Sequence, residues 1–130
     1  MEYPNIIKVK TKKQFQAFVC SFLGRRDMYN ESGFPFFIDD KIFFVAVIKN
    51  KPVGIAGIKV EKKKNILCNG FVEKPYRGKG IFDMLFKERL NHCSGIIKGV
   101  ATKASKGTYL RYEFYATRET KNYTFFEKEI

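Results

Sequence analysis

Residue types that build many functional sites are scarce in this 130-residue chain. It has no tryptophan, one histidine (His92) and three widely separated cysteines, Cys20, Cys68 and Cys93. Without a Cys-x-x-Cys pair a metal site is not expected, and three distant cysteines favour reduced thiols in a cytoplasmic protein. Adjacent residues of a helix point about 100° apart, so His92 and Cys93 are not expected to form a catalytic pair.

Long apolar segments are also absent from the sequence. No run reaches the roughly 18–20 residues of a membrane-spanning helix. The N-terminal residues 1–5 are not followed by the apolar stretch of a signal peptide. The chain is 45% hydrophobic, with 14 Phe and 7 Tyr. These side chains suffice for one hydrophobic core, so we expect a single domain spanning residues 1–130.

Acidic residues are few relative to basic ones. The chain has 25 Lys and Arg against 13 Asp and Glu, a net charge of +12, and residues 91–112 contain no acid at all. Lys59 and Lys62–Lys64 form a further basic cluster. This charge favours a polyanionic partner such as a phosphorylated cofactor, a nucleic acid or an acidic protein.

Hydrophobic periodicity predicts a mixture of strands and helices. Strands are expected at residues 6–10, 41–49, 53–60, 66–72, 96–101, 112–116 and 123–130. Helices are expected after an N-cap at Thr11, from Ile81 to Gly95, and over residues 104–111, with a loop at 25–37. Short turns, one of them at residues 50–52, should join the second, third and fourth strands into an antiparallel meander.

A basic, glycine-rich loop at residues 77–80 (Arg-Gly-Lys-Gly) precedes the helix that begins at Ile81. The first amides of a helix lack intrahelical acceptors and point outward with the positive end of the helix dipole. They therefore bind anions such as a pyrophosphate, which glycine lets approach closely and which Arg77 and Lys79 attract. The spacing matches neither the P-loop nor the dinucleotide-binding motif.

In this context the sequence resembles the GCN5-related N-acetyltransferase (GNAT) superfamily. The family's loop reads Arg or Gln, any two residues, Gly, any residue, then Gly or Ala. Residues 77–82 match it except at Phe82, where a small residue is usual. The resemblance covers roughly Phe43 to the C-terminus. It implies an α/β (α+β) fold with a mixed, mostly antiparallel sheet of six to seven strands, three to four flanking helices, and a V-shaped cleft between the fourth and fifth strands.

The resemblance implies acetyl-CoA as the co-substrate. The loop amides would hold its pyrophosphate, while the backbone of the fourth strand would pair with the pantetheine arm. The implied cofactor-binding residues are Phe71, Val72, Arg77, Gly78, Lys79, Gly80, Ile81, Phe82 and Thr102.

The resemblance also implies catalytic residues. Tyr109 is followed, after three residues, by Glu113 and Phe114, as in a family motif that has Gly in place of Glu113. Tyr109 would be the general acid that protonates the CoA thiolate, with Tyr112 as the substitute in a shifted register. Glu73 is the nearest carboxylate for a general base, and Asn69 is a candidate substrate contact. Core packing by Tyr109 and simple solvation of Glu73 are the structural alternatives.

The implied function is N-acetylation of an amine by direct attack on the thioester, with a backbone N–H near Val72 as the oxyanion donor. The acceptor remains open, and the charge of +12 allows a nucleic acid or a protein. We expect a monomer or homodimer without a membrane partner. Two alternatives come from other classes: a non-catalytic basic nucleic-acid-binding domain, and a CoA-binding pseudoenzyme, which Phe82 and Glu113 favour.

Overall fold

One mixed sheet organises the computed structural model, which describes residues 3–22, 41–61 and 63–130. Within these ranges seven strands pair in the order β1-β2-β3-β4-β5-β7-β6. Every neighbouring pair is antiparallel except β4 and β5, which run parallel. This is the mixed, mostly antiparallel sheet expected from the sequence. The strands are β1 (Asn5–Lys8), β2 (Lys41–Ile48), β3 (Lys51–Glu61), β4 (Lys64–Val72), β5 (Ile96–Ala101), β6 (Tyr115–Glu119) and β7 (Thr124–Glu129).

Helices cover both faces of the sheet. The first segment begins as α1 (Lys12–Gln14) and continues as a π-helix (Phe15–Val19) and a 3₁₀ turn (Cys20–Phe22). The Thr11 hydroxyl caps it by accepting a hydrogen bond from the Gln14 amide at 3.1 Å, as the sequence predicts. The longer helix α2 (Ile81–Asn91) and the short helix α3 (Lys106–Arg111) follow. The predicted end of the first helix at Gly24 and the loop at 25–37 lie outside the described residues.

The central strands are buried on both faces, which explains their uninterrupted apolar sequences. In β2, Phe44 and Ala46 join the core beneath α2 and α3. Phe43, Val45 and Val47 pack on the other face against the N-terminal helical segment. Successive side chains of a strand point to opposite faces, so this single strand serves two hydrophobic clusters.

Several element boundaries differ from the sequence prediction: α2, for example, ends at Asn91 and not at Gly95. Two of the differences follow from positive φ angles. Lys49 and Asn50 have φ of 50° and 64°, as in a tight hairpin turn, so β3 already begins at Lys51. Pro52 is tolerated in that strand because it lies at a register shift against Val47. Glu113 has φ of 64°, so the chain still turns at residues 112–114, and β6 begins at residue 115 instead of residue 112.

Candidate functional site

β4 and β5 are paired over only part of their lengths. Their parallel register ends where Leu67 faces Gly99, although β4 continues to Val72. On its other side β4 bulges against β3, and within the bulge Asn69 has φ of 52°. A bulge bends and twists the strand that carries it. The two strands therefore separate into the V-shaped cleft that the resemblance implies, with its apex at Leu67 and Gly99.

The loop at residues 77–80 and the N-terminus of α2 lie at the end of β4. Gly78 and Gly80 have φ of 77° and 82°, values that glycine adopts without steric cost. The first helical hydrogen bond runs from the Met84 amide to the Gly80 carbonyl at 3.0 Å. Among the described residues no backbone or side-chain acceptor takes the amides of residues 78–83. These amides are open to an anionic ligand.

A cavity of about 170 Å³ opens between this loop and α3. Six of the residues that the resemblance implies for the cofactor line it together. Four further residues, from the turn before the loop, the first turn of α2, and α3, complete the lining. The first group is Val72, Arg77, Gly78, Gly80, Ile81 and Phe82, and the second is Tyr76, Asp83, Thr108 and Arg111.

Basic side chains lie in and beside the cavity. The Arg77 Nε donates to the Val72 carbonyl at 2.8 Å, and its guanidinium lies 5.3 Å from the centre of the Phe71 ring. The Lys51 and Lys79 ammonium groups each lie 5.7 Å from the centre of the Tyr76 ring. Arg77 thus fixes the end of β4 by its hydrogen bond to Val72. Lys51 and Lys79 place two positive charges beside the loop.

A polar network joins the first turn of α2 to α3 across the cavity. The Asp83 carboxylate accepts a hydrogen bond from Arg111 Nη2 and another from the Tyr112 hydroxyl, both at 2.9 Å. Arg111 Nη2 also lies 3.3 Å from the Thr108 hydroxyl. Burial, followed by the bond to Asp83, raises the pKa of Tyr112. The hydroxyl of Tyr112 is therefore held at the loop end of the cleft.

Tyr109 lies at the opposite end, beside the apex. Its ring stacks on Phe126 at 5.0 Å and meets Phe86 and Phe114 edge-on. A Cβ placed on Gly99 would overlap the Tyr109 hydroxyl and lie 2.5–2.7 Å from its ring carbons, so the hydroxyl lies directly over Gly99. Burial raises the pKa of Tyr109, an effect that the positive charge of Arg89 partly offsets.

The remaining predicted residues lie outside the cavity lining. The Phe71 side chain packs on the opposite face of the sheet. The Asn69 amide oxygen accepts a bond from the Lys41 ammonium at 2.8 Å. The Glu73 amide donates to the Val53 carbonyl at 2.8 Å, which fixes the backbone where β4 ends. Thr102 lies in the turn before α3, where its carbonyl accepts hydrogen bonds from the Ser105 and Lys106 amides.

The described parts of the chain carry neither a metal-binding cluster nor a membrane-spanning helix. Residues 3–22, 41–61 and 63–130 contain no group of three His, Cys, Asp or Glu side chains placed to share a metal ion. None of the helices in these ranges has the length and apolar character needed to cross a membrane.

The separated ends of β4 and β5 lie beside the open, basic N-terminus of α2. This arrangement in an α/β fold suits a phosphorylated ligand that has an extended arm. A family model described as an acetyltransferase (GNAT) domain matches residues 6–125. The chain therefore belongs to the GNAT acetyltransferase family. No curated protein sequence matches it significantly.

Several solved structures share the fold at low sequence identity. ElaA of Escherichia coli has a TM-score of 0.75 and 12% identity, over 97% of this chain and 99% of that one. A GNAT family acetyltransferase of Elizabethkingia anophelis with acetyl-CoA bound has a TM-score of 0.68 and 12% identity, over the whole of both chains. Arabidopsis thaliana Naa50, solved with the bisubstrate analogue CoA-Ac-MVNAL, has a TM-score of 0.70 and 17% identity, over 99% and 100%.

Proposed function

We propose that this protein transfers the acetyl group of acetyl-CoA to an amine by direct attack. The observation that carries the proposal is the row of open amides at residues 78–83, beside the splayed ends of β4 and β5. Family membership supports acetyl-CoA as the donor, and the Elizabethkingia anophelis relative of the same fold was solved with acetyl-CoA bound. The net charge of +12 favours an acceptor that also carries negative charge.

The pyrophosphate of acetyl-CoA would lie on the amides of residues 78–83, where the helix dipole favours a negative charge. The pantetheine arm would run along β4 beyond Leu67, where β5 no longer pairs with it. An extended arm laid along β4 in this direction brings the thioester toward the apex. The Tyr109 hydroxyl lies there, over Gly99.

In the proposed reaction the amine nitrogen forms a bond to the thioester carbonyl carbon, and the carbon–sulfur bond breaks. A backbone N–H of β4, in the stretch after Leu67 where β5 no longer pairs with it, would hold the carbonyl oxygen as it gains negative charge. Tyr109 would donate its proton to the departing thiolate, which leaves as the CoA thiol. The proton lost by the amine would pass through water to Glu73 at the end of β4, and Asn69 would contact the acceptor.

Acetyl-CoA is expected to raise the melting temperature of the protein, by a roughly constant step for each tenfold increase in its concentration above Kd. A ligand that binds only the folded state stabilises it by about 2.7 kcal/mol at a hundredfold excess over Kd. Free thiol is then measured with amino acids, polyamines, peptides, and single- and double-stranded nucleic acids as acceptors. Thiol release with one acceptor class supports the proposal and identifies the acceptor.

Two outcomes would replace the proposal with one of the alternatives. Stabilisation by acetyl-CoA without thiol release from any acceptor would indicate a CoA-binding pseudoenzyme. No stabilisation, together with salt-sensitive binding to nucleic acid, would indicate the non-catalytic basic domain.

Gly80→Ala is expected to weaken acetyl-CoA binding about tenfold. A Cβ at Gly80 meets nothing within 4 Å, so the effect comes from its φ of 82°, which alanine disfavours by about 1 kcal/mol or more. Relaxation of that angle turns the amides away from the phosphates. Isothermal titration measures the Kd.

Gly107→Ala is the matched control for this substitution. It lies in α3, where a Cβ would be 3.9 Å from the Arg111 side chain, an ordinary contact. The control should bind acetyl-CoA normally and melt slightly higher, because alanine favours a helix by up to about 1 kcal/mol. Equal affinity for Gly80→Ala and the wild type would show that the loop amides do not hold the phosphates.

A further inference from the structure

Arg89 of α2 is the most unusual buried side chain in the described structure. It is only 2% exposed, and none of the described carboxylates pairs with it. Its Nε is buried without a hydrogen-bond partner. A buried positive charge without a counterion is unfavourable, and an apolar side chain of similar size is often as stable or more so. Packing alone therefore does not explain an arginine here.

The guanidinium of Arg89 reaches the bulge of β4. Its Nη1 lies 3.4 Å from the Gly57 carbonyl and 3.3 Å from the Cys68 carbonyl. Both carbonyls belong to the rung where the β3–β4 register shifts. Hydrogen bonds of this length are weak, so they offset only part of the desolvation of the charge.

The same guanidinium lies close to the apex of the cleft. Cys68 follows Leu67, the residue that pairs with Gly99 in the last β4–β5 rung. The Phe86 ring lies 5.2 Å from the Arg89 guanidinium and 4.9 Å from the Tyr109 ring. Burial raises the pKa of Tyr109; among the described groups, the charge of Arg89 lowers this pKa and Cys68 raises it slightly further.

We propose that Arg89 is a positioning residue whose buried charge stabilises the phenolate that Tyr109 becomes when it protonates the departing CoA thiolate. This inference rests on the proposed function. In that step the phenol O–H bond breaks, an S–H bond forms, and the negative charge moves from sulfur to the phenol oxygen. A phenolate in this apolar core would be strongly disfavoured without a nearby cation. Solvent or the acceptor's released proton then restores the phenol.

The test is a set of Arg89→Met and Arg89→Lys variants, each made alone and together with Tyr109→Phe. Arg89→Met is expected to lower kcat about tenfold or more, with the KM for acetyl-CoA changed less than about twofold. Arg89→Lys keeps the positive charge and should retain most of kcat. With phenylalanine at residue 109 no phenolate forms, so Arg89→Met should cause no further loss.

Stability measurements separate this role from simple support of the bulge. Arg89→Met should melt near or above the wild type, because removal of the unpaired charge offsets the two long hydrogen bonds. A kcat loss in Arg89→Lys as large as that in Arg89→Met would overturn the inference. So would an equal loss with and without Tyr109→Phe.

Three other outcomes are also decisive. If Arg89→Met does not fold, Arg89→Lys decides alone: retained kcat supports the charge role, and lost kcat rejects it. Failure of the wild type to release thiol with any acceptor would reject the proposed function and this inference with it. A wild type that turns over, beside an Arg89→Met variant with unchanged kcat, would reject only the inference.

Discussion

Tyr109→Phe is expected to lower kcat for acetyl transfer about a hundredfold or more while leaving the acetyl-CoA-dependent thermal shift unchanged. General acid catalysis typically contributes about 10²–10⁴-fold to a rate. Phenylalanine keeps the stack on Phe126 and the edge contacts with Phe86 and Phe114, so only the hydroxyl over Gly99 is removed. The measurements are free-thiol release at saturating acetyl-CoA and the melting temperature with and without ligand.

Tyr112→Phe is the matched control for Tyr109→Phe. Both changes delete one tyrosine hydroxyl, at residue 109 within α3 and at residue 112 directly after it. The Tyr112 hydroxyl, however, is bonded to Asp83 in the first turn of α2, beside the loop and away from the apex. Its loss should change kcat by less than about threefold and act mainly on the KM for acetyl-CoA. If Tyr109→Phe turns over normally and Tyr112→Phe does not, the acid is Tyr112; if both turn over normally, neither is.

The sheet and the loop could be predicted from the sequence because their signals are local. Apolar runs bounded by turn residues predict β2, β3 and β5 to within about two residues. The glycines at 78 and 80 predict a backbone that needs positive φ, and both have it. The mixed sheet and its V-shaped cleft came from the family resemblance, which supplies topology that periodicity alone does not. Which strand pair runs parallel was not predicted, and the structure shows that it is β4 with β5.

Other features depend on contacts between distant residues and could not be predicted in this way. Asp83 and Arg111 are 28 positions apart, and only the packing of α3 beside α2 joins them. At Arg89 the apolar spacing of α2 suggests nothing unusual, because a charged residue in a helix is normally exposed. Its burial depends on the β4 bulge, where the Cys68 carbonyl accepts a hydrogen bond from the Arg89 guanidinium.

The π-helical turn at Phe15–Val19 is another feature that the sequence did not predict. Thr11 and the apolar spacing after it predict a regular helix, and the N-cap forms as expected. The widened turn appears where Val19 is fully buried against the sheet. We infer that tertiary packing overrides the regular period there, an effect that the spacing of one segment does not reveal.

Gly99→Ala is expected to abolish most acetyl transfer, at least about a hundredfold, and to destabilise the fold by about 1–3 kcal/mol as other overpacked cores are destabilised. The added Cβ would occupy the space of the Tyr109 hydroxyl and ring. The ring has no free direction to move, because Phe126 covers its face and two further aromatic rings meet it edge-on. Either α3 or β5 must shift, and the hydroxyl leaves the apex in both cases.

The decisive comparison is between acetyl-CoA binding and acetyl transfer in the Gly99→Ala variant. The loop amides that would hold the pyrophosphate belong to the other end of the cleft, so folded Gly99→Ala protein should still be stabilised by acetyl-CoA. Gly107→Ala again serves as the control, since its Cβ has room. If Gly99→Ala releases thiol at the wild-type rate, the hydroxyl of Tyr109 is not needed at the apex. The proton for the thiolate must then come from another donor, because an overlap this close leaves that side chain no way to keep its position.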